Sequence, residues 1–153
     1  MGSVVCATRG GAGSRATQLR AIELATQGDR PLEFVLVIDP YVFVDEDPGT
    51  REAVVAELKW IGRAILNLAL LRAEAADIDA DVVILEGDVQ TEVERYLRER
   101  DVDVLLVGAP RKATEDDFGD DPVERFAESV TAATGVPVEI VYPESRELVY
   151  EDA

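Results

Sequence analysis

The 153-residue sequence contains no histidine and a single cysteine, Cys6. Without histidine the chain can build neither a Ser-His-Asp triad nor a Cys/His zinc site, and one cysteine cannot form an intramolecular disulfide. Cys6 lies within a short apolar run with no histidine to activate it, so we expect a buried, inert thiol. The sequence therefore predicts no metal site and no catalytic residue, and it favours a protein that is not an enzyme.

Long uninterrupted hydrophobic runs are also missing. The longest helical apolar stretch, residues 53–73, is interrupted by four charged side chains, so it does not predict a membrane-spanning helix. Those four side chains are Glu57, Lys59, Arg63 and Arg72. The opening Met1-Gly2-Ser3 leads into only four apolar residues, which is not the pattern of a signal peptide. We expect a cytoplasmic protein.

Basic residues are scarce relative to acidic ones. The chain has 15 basic and 32 acidic residues, a net charge of −17, and its only lysines are Lys59 and Lys112. The electrostatic field of so negative a chain repels phosphate backbones and anionic lipids, so we predict neither a nucleic acid nor a membrane as partner. An acidic, lysine-poor chain with 47% apolar residues resembles proteins of salt-loving prokaryotes. Concentrated salt screens the repulsion among the carboxylates, because the Debye length falls to about 3 Å at 1 M.

Apolar runs and helical patterns alternate five times along the chain. Four helices are predicted. The first is capped by Ser14, the second spans residues 50–76, the third is capped by Asp88, and the fourth spans residues 122–134 and ends at Gly135. Predicted strands cover residues 3–7, 32–38, 81–85, 102–107 and 136–141.

The predicted middle strands are continuous apolar runs, which is typical of strands covered on both faces of a parallel sheet. The fold class is therefore an α/β, three-layer sandwich, doubly wound as in flavodoxin, with strand order 3-2-1-4-5. In this order the chain reverses direction between the first and fourth strands, and ligands of such sheets bind at the reversal. The loops that start at Thr8 and Gly108 are the expected place for a site.

Four segments together resemble a universal stress protein domain. They are VVCATRGGAGS, VLVIDP, VVILEGDVQTEVERYLRERDVDVLLVG and VPVEIV. The resemblance implies a domain over residues 1–142 of the adenine nucleotide alpha-hydrolase-like type, followed by an acidic tail over residues 143–153. We expect that tail to be mobile from Pro143 onward.

The resemblance also implies that the loop after the fourth strand decides whether ATP binds. Family members that bind ATP carry G-x2-G-x9-G-[S/T] there. Gly108 supplies the first glycine, but Arg111 stands at the second position, and neither possible register places Gly-Ser at the end. The aspartate that usually ends the first strand is replaced by Thr8. The carboxylates around the start of the last helix also oppose a triphosphate. They are Asp116, Asp117, Asp120, Asp121 and Glu124. The sequence therefore predicts weak or absent ATP binding.

Cations near the chain reversal favour an anion nonetheless. Arg9 and Arg15 flank the first glycine-rich turn, and Arg111 with Lys112 opens the loop after the fourth strand. The glycine amides of this turn can form a phosphate-binding nest, or the glycines can simply permit a tight turn while the cations pair with aspartates. The spacing Gly11-x-Gly13-x-x-Ala16 with Asp39 also imitates a dinucleotide fingerprint, but we expect Asp39 to cap the end of the second strand. The candidate nucleotide- or anion-binding residues are Thr8, Arg9, Gly10, Gly11, Gly13, Ser14, Arg15, Asp39, Gly108, Arg111 and Lys112.

Two functions remain open. The first is a non-catalytic stress-response or regulatory module that needs no cofactor, contacts an unknown protein partner and forms a homodimer through the fifth strand. The candidate interface side chains, which alternate with Glu139 on an exposed sheet edge, are Val136, Val138, Ile140 and Tyr142. Pairing two such edges removes unpaired backbone groups. The second is a nucleotide-binding switch or slow ATPase, with ATP or AMP as ligand, that uses the cationic loops.

Overall fold

Five parallel strands alternate with helices along the part of the chain that the structure, a computed structural model, describes. That part comprises residues 2–9, 12–43, 47–109 and 122–143, with the backbone alone at 12, 13, 42 and 43. The strands are β1 (Ser3–Ala7), β2 (Leu32–Ile38), β3 (Ala80–Glu86), β4 (Val102–Gly108) and β5 (Val138–Val141). The helices are α1 (Ala12–Gly28), α2 (Pro48–Ala75), α3 (Val89–Arg98) and α4 (Pro122–Thr134), and a 3-10 turn spans Pro40–Phe43.

The strand order is β3-β2-β1-β4-β5, as predicted. β1 lies at the centre, where Cys6 is opposite Phe34 of β2 on one side and Leu106 of β4 on the other. β3 and β5 form the two edges. The predicted fold class, a doubly wound α/β sandwich, is confirmed.

Alternation along the strands divides the core into two layers. Val4 and Phe34 pack with α1 and α2 on one face of the sheet. Their neighbours Val5 and Val35 pack with α3 and α4 on the other face. Successive strand residues point to opposite faces, so a strand that is apolar at every position is buried from both sides.

Local signals place several helix ends where they were expected. Asp88 caps α3, because its carboxylate accepts a hydrogen bond from the Thr91 N–H at 3.0 Å. α4 ends before Gly135, whose φ of +79° is the left-handed conformation that glycine adopts without strain. α2 begins two residues before the predicted Thr50, with Asp47 as its cap and a proline in its first turn.

Two predicted boundaries were wrong. α1 begins at Ala12, so Ser14 lies inside its first turn and does not cap it. β5 begins at Val138 instead of Val136. The Val136 N–H donates to the Thr134 hydroxyl at 3.2 Å and so closes the end of α4, while Pro137 has no N–H to give to a strand.

Candidate functional site

The loops that follow β1 and β4 meet at the carboxyl edge of the sheet. β1 and β4 are hydrogen-bonded neighbours, and the Arg9 guanidinium donates from Nη2 to the Gly108 carbonyl at 3.4 Å. Arg9 is exposed, so it links the starts of the two loops at the surface. The structure thus brings together the two loop starts that the strand order predicts to be adjacent.

Thr8 faces the protein interior at this edge. Its N–H donates to the Val35 carbonyl at 2.8 Å, and its hydroxyl accepts a hydrogen bond from Gln18 Nε2 at 2.8 Å. Thr8 and Gln18 are only 2% and 1% exposed. Thr8 therefore anchors α1 to the end of β1, and its hydroxyl is engaged beneath the surface.

The other end of the Gln18 amide holds Arg72, which comes from α2. Gln18 Oε1 accepts a hydrogen bond from Arg72 Nη1 at 2.5 Å. Arg15 precedes Gln18 by three residues and so lies on the same face of α1, one turn nearer its start. Burial, and secondarily the Arg15 guanidinium, lowers the pKa of Arg72. Arginine stays charged at neutral pH after such a shift, so two cations converge here.

This pair of arginines is unusual in so acidic a protein. Within the described ranges no carboxylate lies at salt-bridge distance from Arg15 or Arg72, whereas Arg20, Arg30 and Arg95 all have one. A partly buried cation that has no counter-ion and a like-charged neighbour favours the binding of an anion. The Arg15–Arg72 pair, with Arg9 in the loop after β1, is therefore the anion-attracting part of this edge.

The remaining described candidates support the turns. Ser14 Oγ accepts a hydrogen bond from the Arg9 N–H at 3.3 Å, which closes the loop between β1 and α1. Gly13 lies in the first turn of α1. Asp39 Oδ1 accepts from the Tyr41 N–H at 2.8 Å and so holds the turn that follows β2, in keeping with a cap at the end of that strand.

Several sequence candidates fall outside the described residues. These are Gly10, Gly11, Arg111 and Lys112, and with them the carboxylates Asp116, Asp117, Asp120 and Asp121. Of the acidic group before and within α4, Glu124 is described, and its carboxylate accepts a hydrogen bond from the Tyr142 hydroxyl at 3.5 Å.

The interface candidates near β5 differ from one another in exposure. Val136 is buried in the core on the α3 and α4 face. Val138 and Ile140 are half-buried against the same core, and Tyr142 is exposed. Val138, Ile140 and Tyr142 thus lie along the open edge, while Val136 belongs to the interior of its own chain.

The described residues contain one thiol, which is buried, and no grouping of metal ligands. Cys6 is fully buried, and burial strongly raises the pKa of its thiol, as expected for an inert cysteine. In the ranges that the structure covers, no three Cys, Asp or Glu side chains are grouped as metal ligands. No described helix is both long and apolar enough to cross a bilayer.

Comparison with known proteins identifies the family. The sequence profile of the universal stress protein family matches residues 1–142. The chain belongs to the universal stress protein family. No curated protein sequence is significantly similar to it.

Solved universal stress proteins share the fold. A family protein from Burkholderia pseudomallei is 22% identical with a TM-score of 0.71, covering 93% of this chain and 96% of its own. A universal stress protein in complex with cAMP is 23% identical with a TM-score of 0.64, covering 94% and 98%. An Arabidopsis thaliana family protein with AMP bound is 16% identical with a TM-score of 0.61, covering 95% and 94%. The whole described domain therefore has the architecture of this family.

Sequence reasoning missed Gln18 and Arg72 as parts of this site. Arg72 is 54 positions beyond Gln18, and in the sequence it looks like one of the charges that interrupt an apolar stretch. One signal was present. Arg72 follows an apolar run and directly precedes the buried Ala73, so an arginine at this position needs a polar partner.

Proposed function

We propose that this universal stress protein is a non-catalytic regulatory module of the cytoplasm that acts as a homodimer joined through β5. The observation that carries the proposal is the outer backbone of this edge strand, which no other described strand pairs with. The carbonyls of Pro137 and Val141 accept hydrogen bonds from Leu105 and Ala109, at 3.0 Å and 2.9 Å. In a parallel strand both backbone groups of a residue point to the same side, and the side alternates. The backbone groups of Val138 and Ile140 therefore point away from β4.

The charge around β5 also suits contact with a second copy. Glu139 Oε2 accepts a hydrogen bond from Arg20 Nε at 2.7 Å, so the acid within this strand already has a counter-ion. The exposed Tyr142 adds apolar surface beside it. Two copies of a chain with a net charge of −17 repel each other least where the local carboxylates are neutralised. Antiparallel pairing of two β5 strands then satisfies the open backbone groups of both copies.

Replacing Ile140 by proline tests this arrangement. Proline removes an N–H that points outward and leaves the β4–β5 hydrogen bonds intact, so we expect Ile140→Pro to abolish the β5 contact and to lower the mass of the assembly in light scattering in 2 M KCl. Ile140→Ala is the matched control, because it loses a similar part of the side chain but keeps the N–H. A wild-type mass of one chain, or equal masses for the two variants, would contradict pairing through β5.

The acidic composition supports a protein adapted to concentrated salt. Of the 15 basic residues only two are lysine, and the acidic residues number 32. Their mutual repulsion opposes folding in dilute buffer and is screened at molar salt. Loss of helical circular dichroism as KCl is lowered to about 10 mM, with recovery when KCl is restored, is the expected result. An unchanged spectrum in the dilute buffer would contradict this adaptation.

A second candidate function is favoured by the Arg15–Arg72 pair. We propose that this pair, assisted by Arg9, holds the phosphate of an adenine mononucleotide such as AMP or cAMP. Two relatives of the same fold have been solved with these nucleotides. A single phosphate can be neutralised by two guanidiniums, whereas a triphosphate brings more negative charge to a chain whose net charge is already −17. The protein would then prefer mononucleotides to ATP.

Isothermal titration with AMP, cAMP and ATP in 2 M KCl measures this preference. Arg72→Gln should weaken mononucleotide binding at least about tenfold, the loss of one charge-assisted contact. Arg63→Gln is the control. Arg63 is an exposed residue of the same helix, and its substitution removes the same charge. Binding that is equally sensitive to both variants would reflect net charge alone. A separate Arg111→Glu/Lys112→Glu variant tests whether the loop after β4 contributes.

A further inference from the structure

The outward side of α2 is apolar although it faces solvent. Trp60 and Leu71 are 70% and 61% exposed, and Ile61 and Leu68 are each 47% exposed. At about 100° per residue these four side chains and the exposed Ala64 fall within an arc of about 100°. We call these five residues the outer face of α2. The buried residues of the same helix, Gly62, Leu66, Ala69 and Ala73, lie on the opposite side, against the sheet.

The size of this surface approaches what a protein interface needs. The four large side chains expose roughly 450 Å² of apolar surface, as much as the largest patch on a typical monomer. A stable interface buries about 800 Å² from each partner, part of it a polar rim. The outer face of α2 can therefore supply the apolar centre of an interface, with the polar residues along the helix as its rim.

Charge indicates which partner can approach. The chain has a net charge of −17, yet α1 and α2, which cover this face of the sheet, together contain six basic and four acidic residues. Within the arc of α2 from residue 53 to residue 75, Glu57 is the single acid. A second copy of this acidic chain meets little repulsion here, and molar salt screens the repulsion that remains.

We propose that the outer face of α2 binds the same face of a second copy, with the two helices antiparallel and crossing near Ala64. In that two-fold arrangement each residue meets the one equally far on the other side of position 64, so Trp60 lies against Leu68 of the second copy. The small Ala64 at the crossing point allows the helices to approach to 8–10 Å. A large aromatic side chain thus packs against an aliphatic one twice in each interface.

This contact is separate from the β5 contact. α2 packs over β2 and β3, whereas β5 is the opposite edge of the sheet. The α2 contact is not part of the proposed function, which concerns pairing through β5. The α2 contact changes only the total number of subunits in the assembly. With both contacts the protein assembles beyond a dimer, and with the α2 contact alone it is a dimer.

Mass measurement in 2 M KCl tests the proposal. Trp60→Ser/Leu71→Ser should raise the dissociation constant of the α2 contact at least about tenfold, because it removes the central aromatic anchor. Val89→Ser is the control: Val89 is an exposed apolar residue on α3, on the other face of the sheet. Circular dichroism verifies that each variant is folded, which the exposure of the substituted side chains favours.

The outcomes separate this contact from pairing through β5. If both contacts form, Ile140→Pro leaves a dimer that Trp60→Ser/Leu71→Ser converts to monomers. If β5 does not pair, Ile140→Pro changes nothing and the α2 variant alone produces monomers. An α2 variant with the same mass as the wild type across the concentration range would overturn the proposal.

Fluorescence gives an independent measurement, because Trp60 is the only tryptophan in the chain. Its emission should shift to shorter wavelength as the protein concentration rises, since contact with Leu68 removes water from the indole ring. Leu68→Ser, which keeps the fluorophore, should move that shift to at least about tenfold higher concentration. Emission that stays typical of a hydrated indole in the assembled wild type would also overturn the proposal.

Discussion

The contact between Gln18 and Arg72 allows a quantitative test of the site geometry. Gln18→Leu keeps a similar volume but removes the donor to the Thr8 hydroxyl and the acceptor for Arg72. Loss of a neutral hydrogen bond costs about 1 kcal/mol, and loss of one to a charged group about 1.5–3 kcal/mol. The buried leucine recovers about 1 kcal/mol, so we expect a net destabilisation of about 2 kcal/mol.

Substitution of the other partner, Arg72, isolates the energy of the contact between Gln18 and Arg72. Arg72→Met leaves the Gln18 carbonyl oxygen without its partner at a position that is 1% exposed, which costs about 1–3 kcal/mol. In the double variant the second substitution removes a group that has already lost its partner. The double variant should therefore be less destabilised than the two single variants combined, by about 1–2 kcal/mol.

Urea denaturation in 2 M KCl, followed by circular dichroism, gives all four free energies of unfolding, and an unchanged slope shows that the unfolded state is comparable. The coupling should persist between 1 M and 3 M KCl, since it arises from a direct hydrogen bond that salt screens little. Single effects that add within about 0.5 kcal/mol would show that Gln18 does not hold Arg72. The assignment of Arg72 to the anion site would then lose its structural basis.

Two further predictions concern stability. Burial, and secondarily the hydrogen bond to Glu33, raises the pKa of Tyr96 to about 12, so its neutral form contributes stability below pH 10 that is lost as the pH rises toward 12. Between pH 9 and pH 12, urea titrations should show that the free energy of unfolding falls by up to about 2 kcal/mol in the wild type and by less in Tyr96→Phe. Equal losses in the two proteins would refute the role of Tyr96. A Cβ at position 62 would lie 3.1 Å from Leu36 Cδ2. We therefore expect Gly62→Val to lower the free energy of unfolding by about 1–3 kcal/mol through overpacking. An unchanged urea midpoint of unfolding would mean that α2 moves away freely.

The strands and helix ends could be predicted from the sequence because their signals are local, and the strand order then followed from the crossover rules of doubly wound sheets. A run such as Leu32–Ile38 is apolar at every position but Glu33, which is typical of a strand covered on both faces. Asp88 and Gly135 mark helix ends through their own side chain or backbone conformation. The start of β5 was misplaced because the competing bond, from the Val136 N–H to Thr134, follows from the way α4 ends and not from the apolar pattern.

The orientation of α2 could not be obtained in this way. Its apolar residues recur at spacings of three and four over six positions from Val54 to Leu71, which predicts a helix. Such a row drifts around a straight helix, and Ile61, Leu68 and Leu71 point outward in the structure. A helix with apolar residues on two sides has no periodic signal that identifies the side facing the sheet. In the structure the buried side is formed by Gly62, which packs against Leu36, together with Leu66, Ala69 and Ala73.

Net charge is a weak guide to individual sites on such a protein. At 1 M salt the Debye length of about 3 Å confines electrostatic interactions to groups in contact. An extended polyanion would still contact many of the 32 acidic side chains, which is the reason for predicting that nucleic acid is not a partner. A single phosphate between Arg15 and Arg72 would instead experience chiefly those two guanidiniums, and the outer faces of two α2 helices would bring together one acid from each copy, Glu57. The acidity of this chain therefore restricts large charged partners far more than it restricts a small anion or a second copy of itself.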